Sequence, residues 1–145
     1  MINSFNGKYE FLSNFFLSPI EYEGIVYPTV EHAFQAAKTF DLDLRKEIAM
    51  SNTPGKAKRA GRRLQLRSDW EEEKDKIMYE CVKKKFQAPH LKEKLLNTKN
   101  EELIEGTTWH DNYWGNCSCH KCENIEGQNH LGKILMKIRK EFLNE

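Results

Sequence analysis

Residues 27–38 read Tyr-Pro-Thr-Val-Glu-His-Ala-Phe-Gln-Ala-Ala-Lys, and this stretch decides the fold class because it combines a helix start with a helical apolar pattern. Pro28 and Thr29 are typical of a helix start, since the threonine hydroxyl can accept hydrogen bonds from the free N–H groups of the first turn. The apolar residues that follow recur at helical spacing and are expected to face a core: Val30, Ala33, Phe34 and Ala37. The stretch therefore predicts a short helix that packs by one face.

The same periodicity extends outward along the chain. A second short helix is predicted to begin at Thr53-Pro54, where the threonine again precedes a helical pattern. Ser68 and Glu71 have the spacing of a capping box, which is expected to open the longest helix, and Pro89 is expected to end it. The lysines at 83–85 are interpreted as a solvated face of that helix. Two more helices are predicted at 91–96 and from 129 to about 142, the last with a core-facing apolar stripe.

The β content predicted from the sequence is small. Residues 20–27, with Glu23-Gly24 in the middle, predict a short hairpin, and a short strand is considered at 103–104. The fold class is therefore α+β and predominantly α-helical, with a short N-terminal β-hairpin. The length of 145 residues fits one compact domain over residues 1–145, since domains commonly have about 100–150 residues.

Composition excludes several classes of protein. The 23 Lys and Arg residues nearly balance 22 Asp and Glu residues, and the net charge of +1 does not indicate a coat for nucleic acid or a membrane-surface protein. No apolar run approaches the roughly 18 residues that span a bilayer, and no signal peptide is expected. Three of the four cysteines lie within 117–122, which is unlike a disulfide framework. We therefore expect a reducing, cytoplasmic location.

Three polar residues of the first predicted helix share one side of it. Glu31, Gln35 and Lys38 fall within a band of about 60°, on the flank of the apolar stripe. This arrangement could line the wall of a cleft, or it could be an exposed ladder with a weak Glu–Lys contact.

The segment 105–117 concentrates large aromatic residues in a predicted loop. It contains Trp109, Tyr113 and Trp114, together with Asp111. Indole faces on a loop can stack on a flat heterocycle, worth about 1–3 kcal/mol per base. The alternative is a small hydrophobic cluster that holds the loop, with Asp111 capping a turn.

Several sequence blocks, in order and over nearly the whole chain, resemble the YbiA-like (NADAR) N-glycosidase family. The blocks are Phe-Leu-Ser-Asn-Phe at 11–15, residues 27–38, Ala-Lys-Arg-Ala-Gly-Arg at 57–62, Trp70, Met78, Lys85-Phe86, Asp-Asn-Tyr-Trp-Gly at 111–115, Gly-Gln-Asn-His-Leu-Gly at 127–132, Leu135-Met136 and Arg139. The resemblance implies the YbiA-like (NADAR) fold and hydrolysis of an N-glycosidic bond to ribose.

The resemblance implies two substrate classes. One is a small nucleotide-like substrate, the ribosylamine phosphate intermediates of riboflavin biosynthesis. The other is ADP-ribosylated guanine in nucleic acid, whose cleavage would reverse the action of a cognate ADP-ribosyltransferase toxin. No membrane partner is implied.

The resemblance also assigns site residues. By motif match the family's functional residues fall on Glu31, Trp70, Asp111 and Trp114, and further pocket members on Asn14, Lys38, Gly115 and Asn129.

These residue types suit the reaction. Glu31 would donate a proton or hold the ribose, and Asp111 would act as a base or charge stabiliser. Lys38 allows a second route through a Schiff base. Trp70 and Trp114 would hold the heterocycle. Arg62 belongs to a group of basic residues that could bind phosphate or form a solvated face: Lys58, Arg59, Arg62 and Arg63.

The segment Cys117-Ser-Cys119-His120-Lys-Cys122 departs from the short glycine-rich link of the family. Cys117, Cys119, Cys122 and His120 match a zinc site in ligand type, although neighbouring Cys119 and His120 cannot easily bind one ion. The fourth ligand could instead be His110, His130 or Cys81. Free or redox-active thiols and a disulfide are the alternatives. No cofactor is required for the reaction, and a zinc ion would be structural.

Two function classes are therefore weighed. The leading hypothesis is an N-glycosidase, since the pair Glu31 and Asp111 is not needed for binding alone. The alternative is a non-catalytic, zinc-clipped module that binds ADP-ribose or nucleic acid.

Overall fold

The computed structural model describes all 145 residues and confirms an α+β fold that is mostly helical. Two short 3-10 helices lie at Gly7–Leu12 and His120–Cys122. The strands are β1 (Ile20–Tyr22), β2 (Ile25–Tyr27), β3 (Gly106–Thr107) and β4 (Asn116–Cys117). The α-helices are α1 (Val30–Ala36), α2 (Leu42–Ala49), α3 (Pro54–Arg62), α4 (Trp70–Lys85), α5 (Pro89–Leu96) and α6 (His130–Leu143). None of these helices is long and apolar enough to cross a bilayer.

The chain forms two compact units. The middle unit comprises Asn14–Gln87, and the terminal unit comprises Met1–Ser13 together with Ala88–Glu145.

The middle unit is built around α1, which packs against α2, α3, α4 and the hairpin. The predicted hairpin is confirmed: β1 and β2 are antiparallel, and Glu23 and Gly24 turn between them with positive φ. The predicted start of α1 is also confirmed, because the Thr29 hydroxyl accepts a hydrogen bond from the backbone N–H of His32. Thr53 caps α3 in the same way.

The long helix α4 differs from its prediction at both ends. The helix begins at Trp70 after Asp69 and no side chain caps it, so the predicted capping box of Ser68 and Glu71 is wrong. The Asp69 carboxylate instead accepts hydrogen bonds from Arg67 at 2.6 and 2.9 Å. The helix ends at Lys85, and Pro89 starts α5, a position where a missing N–H costs nothing.

The prediction that all three lysines at 83–85 are solvated is wrong for Lys85. This side chain is completely buried, with its ammonium 5.5 Å from the ring centre of Phe16 and 5.1 Å from that of Phe86. Burial lowers the pKa of Lys85 to about 7.

Helix α2 was not predicted from the sequence. Its apolar face is weak, because Ile48 is the only apolar residue of the helix that is buried. The helix is held instead by the Asp41 cap and by Arg45, a buried side chain that donates to the Thr39 carbonyl at 2.7 Å and to Glu23 at 2.8 Å.

The terminal unit pairs α5 with α6 and contains the parallel strands β3 and β4. The strand considered at 103–104 is reduced to one bridge between Ile2 and Leu103. The predicted last helix is confirmed as α6, whose apolar stripe is buried at Leu131, Leu135, Ile138 and Phe142.

Candidate active site

The polar side of α1 lies inside the middle unit. Glu31 and Gln35 are only 7% and 4% exposed, so the alternative of an exposed ladder is wrong for both. The Gln35 Nε2 donates to Glu31 Oε1 at 2.8 Å. Glu31 occupies the first turn of α1, where the helix dipole stabilises a carboxylate.

Asn14 is placed beside the start of α1. Its carbonyl accepts a hydrogen bond from the backbone N–H of Glu31 at 3.1 Å. Its side chain is buried and donates to the sulfur of Met78 at 3.4 Å. The structure therefore brings Asn14 together with Glu31 through the backbone.

Helix α3 approaches α1 closely at Gly61. A Cβ on Gly61 would lie 1.9 Å from Gln35 Oε1, so no larger residue fits without moving Gln35. That Oε1 is buried and has no hydrogen-bond partner. The close packing at Gly61 thus fixes the amide that binds Glu31.

Lys38 is half-buried at the end of this polar side. Burial lowers the pKa of Lys38, the nearby Glu31 raises it, and Arg62 and Lys58 lower it further. Glu31, Arg62 and Lys58 thus form a cluster of charged groups around Lys38. Since Arg62 is exposed, the cluster is open to solvent on that side.

Trp70 starts α4 in the same unit. Its ring is buried and lies 5.0 Å from that of Phe34, at 53° between the planes. The phenyl ring of α1 thus supports the indole.

Asp111 belongs to the terminal unit, in the loop between β3 and β4. Its Oδ1 accepts hydrogen bonds from the backbone N–H groups of Tyr113 at 3.1 Å and Trp114 at 2.9 Å. Asp111 therefore caps a turn, and no hydrogen bond uses its Oδ2.

The loop is attached to the start of α6 by backbone hydrogen bonds. Four consecutive N–H groups, at residues 128–131, donate to the carbonyls of Asn112, Gly115, Tyr113 and Trp114 respectively. These donors include N–H groups of the first turn of α6, which have no partner within the helix.

Asn129 and Gly115 stabilise the same attachment. The side chain of Asn129 accepts from the Glu105 N–H at 3.0 Å and donates to the Leu103 carbonyl at 2.9 Å. A Cβ on Gly115 would lie 2.3 Å from the Glu105 carbonyl oxygen, so this position requires glycine. Both residues thus position the backbone of the loop.

Trp114 belongs to a group of three rings. Its centre lies 4.9 Å from that of Tyr113 and 6.2 Å from that of His130, both edge to face, while Tyr113 and His130 stack at 4.2 Å. The indole is half-buried, so part of its surface remains accessible.

The cysteine cluster adjoins this loop but has a different histidine from the one predicted. The ligand atoms of His110, Cys117, Cys119 and Cys122 all lie within 4.8 Å of one another, so these side chains could hold a metal ion. His120 lies outside: it is 92% exposed, with Nδ1 3.6 Å from Glu123. Because Cys119 and His120 are consecutive, their side chains do not converge on one point.

The cysteines are free thiols in the structure. Burial raises the pKa of Cys117, but hydrogen bonds from Cys119 and His110 outweigh it and bring the pKa to about 6. Burial raises the pKa of Cys122. Asn112 connects the cluster to the loop, since its Oδ1 accepts from the Cys117 N–H at 2.9 Å and its Nδ2 donates to the Cys122 sulfur at 3.4 Å.

Three residues of these sites were not assigned from the sequence. The spacing with Glu31 marked Gln35 as part of the polar side, but its hydrogen bond needed the structure. His110 was only one of several candidates for a fourth ligand. For Asn112 there was no signal, because neither its spacing nor its type distinguishes it from other loop asparagines.

Comparison with known proteins adds independent evidence. The model of the NADAR domain family matches residues 3–143, a range that includes both units. The N-glycosidase YbiA of Escherichia coli is 37% identical over 145 residues, which cover 98% of this chain and 87% of that protein. An N-glycosidase of Nostoc punctiforme is 39% identical over 142 residues, with 94% and 87% covered.

Two further comparisons concern a plant protein and a solved structure. The chloroplastic riboflavin biosynthesis protein PYRR of Zea mays is 38% identical over 130 residues, which cover 81% of this chain but only 20% of that protein. The NMR structure of Escherichia coli YbiA has a TM-score of 0.84 at 35% identity, over 99% of this chain and 86% of that one.

Proposed function

We propose, from the premise that this chain belongs to the NADAR domain family and is a hydrolase acting on N-glycosyl bonds, that its substrate is a ribosylamine phosphate of riboflavin biosynthesis. The observation that carries the proposal is the buried Glu31 carboxylate near Lys38, together with Lys58 and Arg62, whose charges also act on Lys38. The Zea mays relative, which is named a riboflavin biosynthesis protein, favours this substrate class.

Glu31 is proposed as the group that transfers a proton to the leaving nitrogen or holds the ribose. Breaking a ribosyl C–N bond builds positive charge on the anomeric carbon and negative charge on the departing nitrogen. A carboxyl group that accepts a hydrogen bond from Gln35 is held in a fixed orientation, which favours proton transfer to a bound substrate. Proton transfer from such a group is worth about 10²–10⁴-fold in rate.

Asp111 is proposed as the base or the stabiliser of the anomeric charge. Its Oδ1 is used by the turn, whereas Oδ2 has no partner within the protein and is the oxygen that would act on water or on the sugar. Carboxylates are sufficient for both roles, so we propose that bond cleavage needs no cofactor.

The cations of the middle unit are proposed to bind the phosphate. A phosphate requires charge-assisted hydrogen bonds, which Arg62 can supply in a bidentate manner and Lys58 as a point charge. Trp70 and Trp114 are proposed to contact the heterocycle. The three cations also support a second substrate class, since they could hold the pyrophosphate of ADP-ribose on guanine in nucleic acid, the product of an ADP-ribosyltransferase toxin.

Lys38 offers a second chemical route. Burial lowers its pKa and so increases the fraction of neutral, nucleophilic amine. The amine nitrogen would bond to C1 of the ring-opened sugar, the heterocyclic amine would leave with a proton, and water would then release the sugar from the Schiff base.

Turnover of the two substrate classes in parallel tests the proposal. We expect the ribosylamine phosphate to release free ribose 5-phosphate, and Glu31→Gln to lower kcat by about 10²–10⁴-fold. Glutamine keeps an oxygen for the hydrogen bond from Gln35, so folding should not change. The matched control Glu71→Gln alters an exposed carboxylate and should retain full activity.

Release from ADP-ribosylated guanosine DNA alone would assign the second substrate class, and full activity of Glu31→Gln would contradict the role of Glu31. Borohydride added during turnover separates the two routes: an adduct that disappears in Lys38→Ala supports the Schiff base, and no adduct contradicts it.

The cellular location is also proposed. Four free thiols, three of them close together, are typical of a reducing compartment such as the cytoplasm.

A further inference from the structure

The cluster of His110, Cys117, Cys119 and Cys122 has the dimensions of a tetrahedral metal site. The His110 Nδ1 lies 3.2 Å from the Cys119 sulfur and 3.3 Å from the Cys122 sulfur. Zinc bonds of about 2.3 Å to sulfur and 2.0 Å to nitrogen require ligand atoms about 3.6–3.8 Å apart in a tetrahedron. Shifts of a few tenths of an ångström would therefore bring the nitrogen to zinc-binding distance from both sulfurs, and no pair of ligand atoms, at up to 4.8 Å apart, would have to approach by more than about 1 Å.

We propose that this cluster binds one zinc ion, and that the ion clamps the loop that carries Asp111 and Trp114. The ligand set of three thiolates and one imidazole is a closed, structural type with no position left for substrate. On binding, the thiols give up their protons and the imidazole stays neutral. The proposal concerns how the loop is held and does not depend on which substrate is cleaved.

The surroundings of the sulfur atoms suit thiolate ligands. The backbone N–H groups of His110 and Cys119 point to the Cys117 sulfur, at 3.3 and 3.5 Å, and Asn112 Nδ2 points to the Cys122 sulfur at 3.4 Å. Such donors around the ligands orient them and stabilise their negative charge. The site is therefore supported by its neighbours as well as by its four ligands.

The backbone at His110 is a second indication. This residue has φ of 69°, a left-handed conformation that costs energy for any residue with a side chain. Residues held in such a conformation cluster at ligand sites.

The positions of the ligands in the chain explain the clamp. His110 immediately precedes Asp111, and Cys117 follows two residues after Gly115, so an ion bound to both closes the segment 111–116 into a ring. Cys119, just before the short 3-10 helix, and Cys122, its last residue, would attach that ring to the following segment. Closing a loop in this way reduces the number of conformations that the loop can adopt when the unit is partly unfolded.

Metal content, measured in the wild type, two histidine variants and one cysteine variant, tests whether the cluster binds zinc. We expect about one zinc per chain after purification without chelator in the wild type and in His120→Ala, whose side chain is exposed and outside the cluster. His110→Ala and Cys119→Ser should lose zinc affinity at least tenfold. Cobalt(II) in place of zinc should give thiolate charge-transfer absorption, which is absent if the cysteines form a disulfide or do not bind.

Fewer than about 0.2 zinc per chain in the wild type would overturn the proposal, because structural sites bind tightly. The loss of zinc in His120→Ala with full retention in His110→Ala would also overturn it, even if the protein still contained metal. Circular dichroism of each variant confirms that the helices are intact. Glu31→Gln should retain zinc, so a failure of this proposal can be distinguished from a failure of the proposed function.

Hydrogen exchange measures the clamp itself. We expect chelation to speed exchange at residues 108–118 at least tenfold and to leave α4, in the middle unit, unchanged. Equal exchange at 108–118 with and without zinc would show that the ion does not hold the loop.

Discussion

The middle unit and the terminal unit position their candidate residues in different ways. In the middle unit the polar residues lie on regular helices, α1 and α3, and the packing of Gln35 on Gly61 fixes them. In the terminal unit Asp111 and Trp114 lie on a loop, which is held by hydrogen bonds from the start of α6 and by those of Asn112 with Cys117 and Cys122. A helix obtains its rigidity from a buried face, whereas a loop with few buried side chains requires backbone partners or cross-links.

This difference decides what a substitution does in each unit. Asp111 combines a structural role, the turn cap, with its proposed chemical role, and the two can be separated by substitution. Glu31→Gln makes the same separation, because the glutamine oxygen can still accept the hydrogen bond from Gln35 while the charge is lost. A substitution that keeps the hydrogen bonds but removes the charge therefore distinguishes a chemical role from a positioning role in each unit.

The largest effect is expected from Asp111→Asn and Asp111→Ala measured side by side. Asparagine keeps the oxygen that accepts from Tyr113 and Trp114, so the turn should persist while the charge is lost. We expect kcat to fall about 10²–10⁴-fold in Asp111→Asn, with the free energy of unfolding nearly unchanged. Asp111→Ala should lose activity as well and be less stable by about 0.5–2 kcal/mol, as for other lost caps.

Steady-state kinetics and denaturant unfolding of both variants make the comparison. An active Asp111→Asn beside an inactive Asp111→Ala would reduce Asp111 to a turn cap, and the loop would then only position Trp114.

Much of the fold could be predicted from the sequence where local signals agree with packing. The Thr29 cap and apolar spacing of α1 were sufficient, as was the stripe of α6. The capping-box prediction failed because α4 begins one residue later than expected, after Asp69, whose carboxylate pairs with Arg67. The prediction for Lys85 failed because a charge pattern does not indicate which lysine the tertiary structure buries.

The site was predictable to a different extent in the two units. The spacing of Glu31, Gln35 and Lys38 placed them on one side of a helix, and packing then determined that the first two are buried. Spacing argued against His120, which directly follows Cys119, but it could not single out His110 from the other candidates, His130 and Cys81. Convergence of the ligands depends on the loop geometry and on the left-handed backbone at His110. Helical positions therefore carried more information than loop positions.

A smaller effect is expected from adding one methyl group in each unit. Gly61→Ala would displace Gln35, and Gly115→Ala would push on the Glu105 carbonyl, which accepts from the Asn116 N–H at 2.8 Å. We expect each to destabilise by about 1–3 kcal/mol, as in other overpacked sites. Gly61→Ala should also lower kcat/KM, because the hydrogen bond to Glu31 is disturbed.

Gly55→Ala is the matched control for this pair. Its new Cβ would meet only the Thr53 hydroxyl at 3.9 Å, an ordinary contact, so neither stability nor activity should fall. Equal stability of Gly61→Ala and Gly55→Ala would contradict the view that close packing on α3 fixes the amide beside Glu31.

At constant pH the smallest effect is expected for the buried Lys85 of the middle unit, where the prediction concerns how stability changes with pH. Its pKa is about 7 in the folded protein against 10.5 as the ordinary value, so between these values the unfolded chain binds more protons. The free energy of unfolding should therefore increase as the pH rises above about 7, and this gain is lost again as the pH falls. The slope from this one group is at most about 1.4 kcal/mol per pH unit. Lys85→Met should remove this slope, whereas the exposed Lys84→Met should keep it.

Denaturant unfolding at pH 7, 8 and 9 measures the difference between wild type and each variant. The difference is the relevant quantity because other groups, which titrate equally in all three proteins, cancel from it. Equal slopes in Lys85→Met and wild type would mean that the ammonium stays charged in the folded state. The faces of the Phe16 and Phe86 rings, which attract a cation, would then contribute to stabilising it, and the middle unit would depend on a buried charge as well as on apolar packing.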